Sequence, residues 1–349
     1  MDINMLWQDY GLDGLEEGIK TLFPGRSLSL QEILSQVMQG DIPGAAASLF
    51  KGSISDFTAQ LAGMRNIFVW LLVLGIVSTL MTHFVEIFDR HQVADISFYF
   101  MYLMLTAMLL QCFYQAAQTA AETLDNVVLF VRLMIPAYVI TVGLSTGAVT
   151  AGASYQIMLF VIYGVQYLLA QGVMPLVYSM CMLVLINGIW VEEKLTLVID
   201  LLEKGIGWAL KAAIGVVTGL SIFQALITPV VDSMKTSALQ KLVSAIPGLG
   251  DAADGVVQMV LGSALVIKNS VGVVLLLLFL ALCAAPLIKI AVIAGVLKAA
   301  AAFMGIVSDK RITACADRTG DVGILLFRTT GTAMLLFLIS IAVITTVRL

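Results

Sequence analysis

Apolar and polar positions along this chain fall into long apolar runs separated by short polar or glycine-rich breaks. Residues 1–60 read as short amphipathic helices, with turn signals at "FPGRS" (23–27) and "GDIPG" (40–44). Ser29 and Glu32 stand at capping-box spacing ahead of "ILSQVM". A first span is predicted at about 66–88 and a second at about 96–120. An amphipathic piece follows at 121–135 with Glu122, Asp125 and Arg132, then a glycine-rich apolar piece at 135–152. A long apolar block runs 155–190, broken by Gly172 and Pro175, and 192–204 is charged. Another span is predicted at about 206–228, and amphipathic 230–245 leads into polar, glycine-rich 246–269. A second long block covers 270–303 with Pro286 inside it. A charged loop at 308–321 and a last span at about 322–347 complete the pattern.

The two long blocks hold 36 and 34 residues. At about 1.5 Å per residue each would measure roughly 50 Å, against a hydrocarbon core of about 30 Å. Each is a tilted helix, a helix projecting from the bilayer, or two segments around its proline, so the span count is six to eight. Shifting the sequence by 111 residues lays Ile135-Pro136 on Ile246-Pro247 and Pro175-Leu176 on Pro286-Leu287. The 96–120 span then falls on 207–231, which implies an approximate repeat of about 96–190 and 207–303. In both halves the glycine-rich piece reads as a short, non-spanning half-helix entering a protein interior, where broken backbone is tolerated. Asp251 suits the N-cap of the second one and Asp254 its N3 position. Lys268 suits its C-terminal end, and Asn269-Ser270 could cap the next span.

Composition fixes the class. Of 349 residues 60% are hydrophobic and only 12% charged, with mean hydropathy +1.00. A soluble domain carries about a quarter charged residues. The expectation is an all-α polytopic membrane bundle: an extramembrane region at 1–63 and a transmembrane domain at 64–349. Residues 1–63 hold eight acidic and three basic residues, and the rest of the chain is nearly balanced. No basic footprint for nucleic acid exists. Cys112, Cys181 and Cys283 lie in apolar runs and Cys315 in the basic loop, so reduced, buried thiols are expected. No secretory signal pattern opens the sequence.

Enzyme chemistry finds little support. "GLSTG" (143–147) matches a serine nucleophile pattern, but the two histidines, His83 and His91, both lie near the end of the first span, and the strand–turn–helix context is missing. "PGLGDAADG" lacks the Gly-Lys-Ser/Thr ending of a phosphate loop. No metal-ligand spacing and no cofactor motif occur. Asp251, Asp254, Lys268, Asn269, Lys289, Pro136, Pro247, Pro175 and Pro286 remain as candidates for lining a conduit or for packing. Arg132 is expected to pair with Glu122 or Asp125, and Lys268, Lys289 and Lys298 to snorkel. Glycines at 143, 147, 152, 215, 219, 262 and 272 read as close-packing positions. Lys310, Arg311 and Arg318 make the most basic short loop, expected on the cytoplasmic side with the acidic N-terminal region opposite.

"SAIPGLGDAADGVVQMVLGSALVIKNSVGV" (244–273) followed by "APLIKI" (285–290) resembles the signature of the stage III sporulation protein AE family. The resemblance continues through "LMIPAYVITVGLSTG" and the acidic N-terminal region. It implies a multi-pass protein of the mother cell of endospore formers, in the outer forespore membrane, and the charge-based topology then puts the N-terminal region in the intermembrane space. It further implies membership of the co-encoded sporulation complex, including an ATPase, that joins a forespore-side partner as a channel or feeding tube. A platform or export-gate role would follow, and a homo-oligomer is left open. The alternative is a stand-alone secondary transporter with its site at the broken helices.

Overall fold

The structure is a computed structural model. It describes the backbone of residues 21–22, 30–51, 53–87, 91–146, 160–189, 194–243 and 250–346. Side chains are described at 21–22, 31–51, 57–81, 96–133, 160–189, 194–220, 222 and 270–339. The described backbone is helical with short turns. Two short helices, α1 (Leu30–Met38) and α2 (Ile42–Phe50), precede six long ones. These are α3 (Ser53–Ile87), α4 (His91–Thr146), α5 (Phe160–Asn187), α6 (Thr196–Val243), α7 (Gly250–Met304) and α8 (Lys310–Thr346).

The "GDIPG" break is a built turn. Gly40 adopts φ +85°, a region that penalises any β-carbon. There its N–H donates to Val37 O at 3.0 Å and the Asp41 N–H to Gln36 O at 2.9 Å, which closes α1. Asp41 then opens α2, its Oδ1 accepting the Gly44 N–H at 3.0 Å, with Pro43 in the first turn. Ser29 lies outside the described residues.

The long helices form an up-and-down bundle. α3, α5 and α7 run toward one end, and α4, α6 and α8 run back. At that end Tyr102 of α4 meets Leu185 of α5 and Cys315 of α8. At the far end Phe130 of α4, Phe279 of α7 and Phe337 of α8 form an aromatic cluster, with ring centroids 4.3, 5.4 and 5.8 Å apart. From Cys315 to Phe337 α8 rises about 33 Å, close to one hydrocarbon core. α1 and α2 pack at the far end, where Ile33, Leu34, Val37, Ala45 and Leu49 join the apolar cluster that includes Val274 to Cys283 of α7.

Five helices have described segments long and apolar enough to cross a membrane: Phe57–Met81, Ile96–Leu133, Phe160–Asn187, Ser270–Met304 and Lys310–Ile339. The expected 206–228 span belongs to α6, whose described side chains stop at 222. The described helical parts of the two long blocks, 160–187 and 270–303, are each one continuous helix. Pro175 is accommodated by a π turn, Leu168–Val173, in which the Met174 N–H reaches back to Leu169 O. The wider turn relieves the clash that a proline ring makes with the carbonyl four residues earlier. Pro286 sits inside α7 without interrupting it.

Several expectations are corrected. The half-helices at 135–152 and 246–269 are not separate elements in the described backbone. Residues 135–146 are the end of α4, which continues through Pro136, and 250–269 are the start of α7. Asp251 and Asp254 therefore lie inside the first turns of α7 instead of at its cap, and Lys268-Asn269 lie mid-helix. Gly255 and Gly262 cost helix stability without ending a helix, and no proline intervenes before Pro286. The charged 308–321 segment is no loop. Only 305–309 is non-helical, and the charges occupy the first turns of α8.

Two of the glycines expected at close contacts, Gly215 and Gly219, are not at one. A β-carbon on Gly215 or Gly219 would meet nothing within 4 Å, whereas one on Gly323 of α8 would lie 3.0 Å from Ala294 Cβ and 3.3 Å from Ala294 Cα of α7. Gly323→Leu should therefore force α7 and α8 apart, costing about 1–3 kcal/mol or more, and reduce the folded protein recovered in mild detergent. Gly219→Leu should leave recovery unchanged. Equal recovery of the two variants would show that the Gly323 contact is not limiting.

Candidate functional site at the polar end of the bundle

Many of the hydrogen-bonding and charged side chains of the described residues gather where six long helices converge at the end of the bundle nearest Cys315. Asp309 starts α8: its Oδ1 accepts the Arg311 N–H at 2.8 Å, and its carbonyl accepts the Thr313 hydroxyl at 3.1 Å. The i, i+4 spacing then puts Asp317 and Asp321 on one face of α8. Opposite them Lys298 of α7 holds both carboxylates, at 2.7 Å and 2.8 Å. Gly320 lies between these acids, where a β-carbon would press on the Lys298 stem at 2.9 Å.

The next face of α8 carries Arg318, whose Nη1 lies 3.2 Å from Asp200 Oδ1 of α6. Arg311 stacks its guanidinium 3.7 Å from the centroid of Phe98 of α4. On the buried side the Tyr102 hydroxyl donates to Leu185 O and lies 3.2 Å from Cys315 Sγ. Asn187 closes the α5–α6 turn, its Oδ1 accepting the Leu195 N–H at 2.8 Å and its Nδ2 donating to Thr196 Oγ1 at 3.2 Å. Thr79 of α3 reaches the carbonyl of Val307. A small cavity of about 40 Å³, lined by Asn187, Thr196, Arg311, Cys315 and Arg318 among others, lies inside this layer. That is room for a water or two.

The three sequence-derived candidates with described side chains are not gathered there. Pro175 is exposed on α5, and Pro286 and Lys289 are half-buried on α7. Lys289 makes no ion pair with another described residue. The side chains of Pro136, Asp251, Asp254, Lys268 and Asn269, all of Pro247, and the side chains of Ser145, His83 and His91 lie outside the described residues. Lys298 does not snorkel as expected but is held by its two aspartates. Arg132 turns to Tyr163 of α5, donating to its hydroxyl and lying 5.5 Å from its ring centroid. Glu122 is instead bonded by Gln118 at 2.8 Å. Ten residues of helix place Glu122 about 15 Å from Arg132, beyond side-chain reach.

Tyr102, Asp200, Asp317 and Asp321 were missed. The i, i+4 acidic pair was a visible signal, but its partner across 19 residues of sequence was not. A larger groove of about 600 Å³ between α3 and α7 is lined by Phe57, Leu61, Met64, Phe68 and Ile288 with Arg65, so it is apolar in character. Among the described residues no group of three His, Cys, Asp or Glu could hold a metal ion. The arrangement works as a clamp: neutralised charges and satisfied hydroxyls tie α3 through α8 together where the apolar body ends.

Two measurements test the clamp. Tyr102→Phe should cost about 1 kcal/mol, since one buried hydrogen bond is lost while the ring stays. A detergent thermal scan should show the drop, and an unchanged midpoint would remove the hydroxyl from the clamp. Lys298→Met leaves two carboxylates facing each other, so adding Asp321→Asn should recover part of its loss. An additive double variant would show that the pair is uncoupled.

Comparison with known proteins gives a consistent answer. The family described as Stage III sporulation protein AE matches residues 28–347. A relative named "Stage III sporulation protein AE", from Bacillus subtilis (strain 168), is 24% identical over 315 residues, covering 90% of this chain and 79% of the relative. No solved structure matches.

Proposed function

This chain belongs to the stage III sporulation protein AE family, and from that membership we propose that it is the membrane-embedded platform or channel subunit of the mother-cell-to-forespore transport complex. The observation that carries the reading is a family match spanning 28–347, the region that contains all five apolar helices. A role in sporulation follows from the family itself. The channel assignment adds the inference that a helical bundle tied together by paired charges, with no catalytic constellation among its described residues, serves as scaffold or conduit. Partners are then the co-encoded proteins of the complex, including an ATPase that supplies energy, and a forespore-side protein.

The two ends of the bundle support an orientation. Lys310, Arg311 and Arg318 cluster at one end, while α1 and α2 pack at the other. With the basic end on the mother-cell side of the outer forespore membrane, the N-terminal helices sit in the intermembrane space. The stand-alone transporter loses its structural argument, because the expected broken helices are parts of long continuous ones.

Deleting the gene in its own endospore-forming host should block forespore development after engulfment and remove heat-resistant spores, with recovery on re-expression. Normal spore counts from a clean deletion would overturn the proposal. Solute transport by the purified chain alone in vesicles would return the transporter to first place.

A further inference from the structure

The outward face of α4 changes character halfway along. From Ile96 to Ala107 it is apolar: Ile96, Phe100, Leu103 and Met104 are 70%, 63%, 64% and 49% exposed. From Gln111 it turns mostly polar, with Tyr114, 67% exposed, at its edge. Gln111, Gln118, Glu122 and Asp125 are exposed, and Gln115 is half-buried among them. Their spacing of 4, 3, 4 and 3 keeps all five within about 80° of the helix circumference over about 21 Å of length. The Gln118 side chain bonds Glu122, and Asp125 makes no ion pair with another described residue.

A simple explanation would put this half of α4 outside the bilayer. The neighbouring helix argues against it. Phe113 of α4 packs on Tyr178 of α5 with ring centroids 5.9 Å apart, and Arg132 bonds Tyr163. The polar half of α4 therefore runs beside residues 163–178 of α5. Over that depth α5 turns outward Tyr167 and Leu168, 72% and 47% exposed, and Leu176, 41% exposed, together with the uncharged polar Gln171 and Ser179, with Phe160, 80% exposed, just beyond. At one level the bundle thus shows a mostly apolar, uncharged surface on α5 and a carboxylate-bearing surface on α4. Lipid on both would strand Glu122 and Asp125 in hydrocarbon, and water on both would strand the aromatic face of α5.

We infer that the Gln111–Gln115–Gln118–Glu122–Asp125 stripe lines a water-filled path through the membrane. The inference deepens the proposed channel function and rests on it for the purpose of the path. Amide groups and two carboxylates, with no exposed cation between Gln111 and Asp125, suit hydrated cations and small neutral polar solutes and disfavour anions. Among the described residues no helix covers the stripe.

The test is cysteine scanning of the full chain in membranes from sporulating cells. The native thiols at Cys112, Cys181, Cys283 and Cys315 are buried and provide the blank. Single cysteines at the five stripe positions are compared with Leu103 and Met104 on the same face, and with Leu168 and Leu176 on α5 at the same depth. Each variant is first scored for heat-resistant spores, so that only working chains are read. Membrane-impermeant thiol reagents, one cationic and one anionic, are then applied. The expected result is labelling at the stripe at least ~10-fold faster than at the four comparison sites, with the cationic reagent ahead.

No labelling at the stripe would overturn the inference and leave the proposed function to the deletion test. Labelling of Leu168 and Leu176 as fast as the stripe would also overturn it, since that half would then lie in water. Stripe-selective labelling in a strain whose deletion sporulates normally would keep the path and overturn the proposed function instead.

Discussion

Hydrocarbon offers no partner to a peptide N–H or carbonyl, and that constraint organises the whole molecule. Each described span is a helix because a helix satisfies its own backbone. The same rule governs the polar side chains buried in the spans. The Thr119, Thr123, Thr319, Thr329 and Thr330 hydroxyls each donate to the carbonyl four residues earlier, so none depends on water. Thr106 Oγ1 and Gln166 Oε1 are buried in the spans without a hydrogen-bond partner among the described residues. Lys289 is half-buried partway along α7, but the paired charges gather at the end of the bundle. There Lys298 meets Asp317 and Asp321, Arg318 meets Asp200, and Asn187 closes the turn between α5 and α6. The helix ends and the charges occupy the same layer because both require polar surroundings.

Association of the helices cannot draw on burial from water in the usual way, since lipid tails are as apolar as leucine. Contact must come from fit. Gly323 lets α8 approach the backbone of α7, and Phe130, Phe279 and Phe337 interlock at the far end. α8 sits between these devices, clamped by charge at its start and by aromatic packing about 30 Å further on. A helix fixed at both ends is a suitable frame for a subunit that holds its shape while neighbours act.

Much of this was legible in the residues. The apolar runs located the membrane helices, and Gly40-Asp41 marked the turn between α1 and α2. The family was legible in 244–273 and 285–290. What misled was the equation of polarity with interruption. Residues 246–269 are polar and glycine-rich, and 308–321 is dense in charge, yet 250–269 and 310–321 are helical. Glycine and charge weaken a helix or set its surroundings without ending it, and even proline changes the backbone at Pro175 but leaves α7 uninterrupted at Pro286. Pairing was the other blind spot. Arg132 has Glu122 and Asp125 nearby in sequence, but a rigid helix holds them apart, while Tyr163 comes close through a fold that periodicity does not encode.

The same rigidity gives the α4 stripe its meaning. In a flexible segment Glu122 and Asp125 could turn to a basic partner or fold back to an interface. On a straight helix wedged between packed neighbours they face one direction, and Gln111, Gln115 and Gln118 face it with them. Contacts at Phe113 and Arg132 fix the depth of that face against a mostly apolar stretch of α5. A carboxylate held at a depth where the next helix presents leucine and tyrosine needs water or protein in front of it. The bundle of described residues supplies neither. A water-filled path in front of the stripe meets that need.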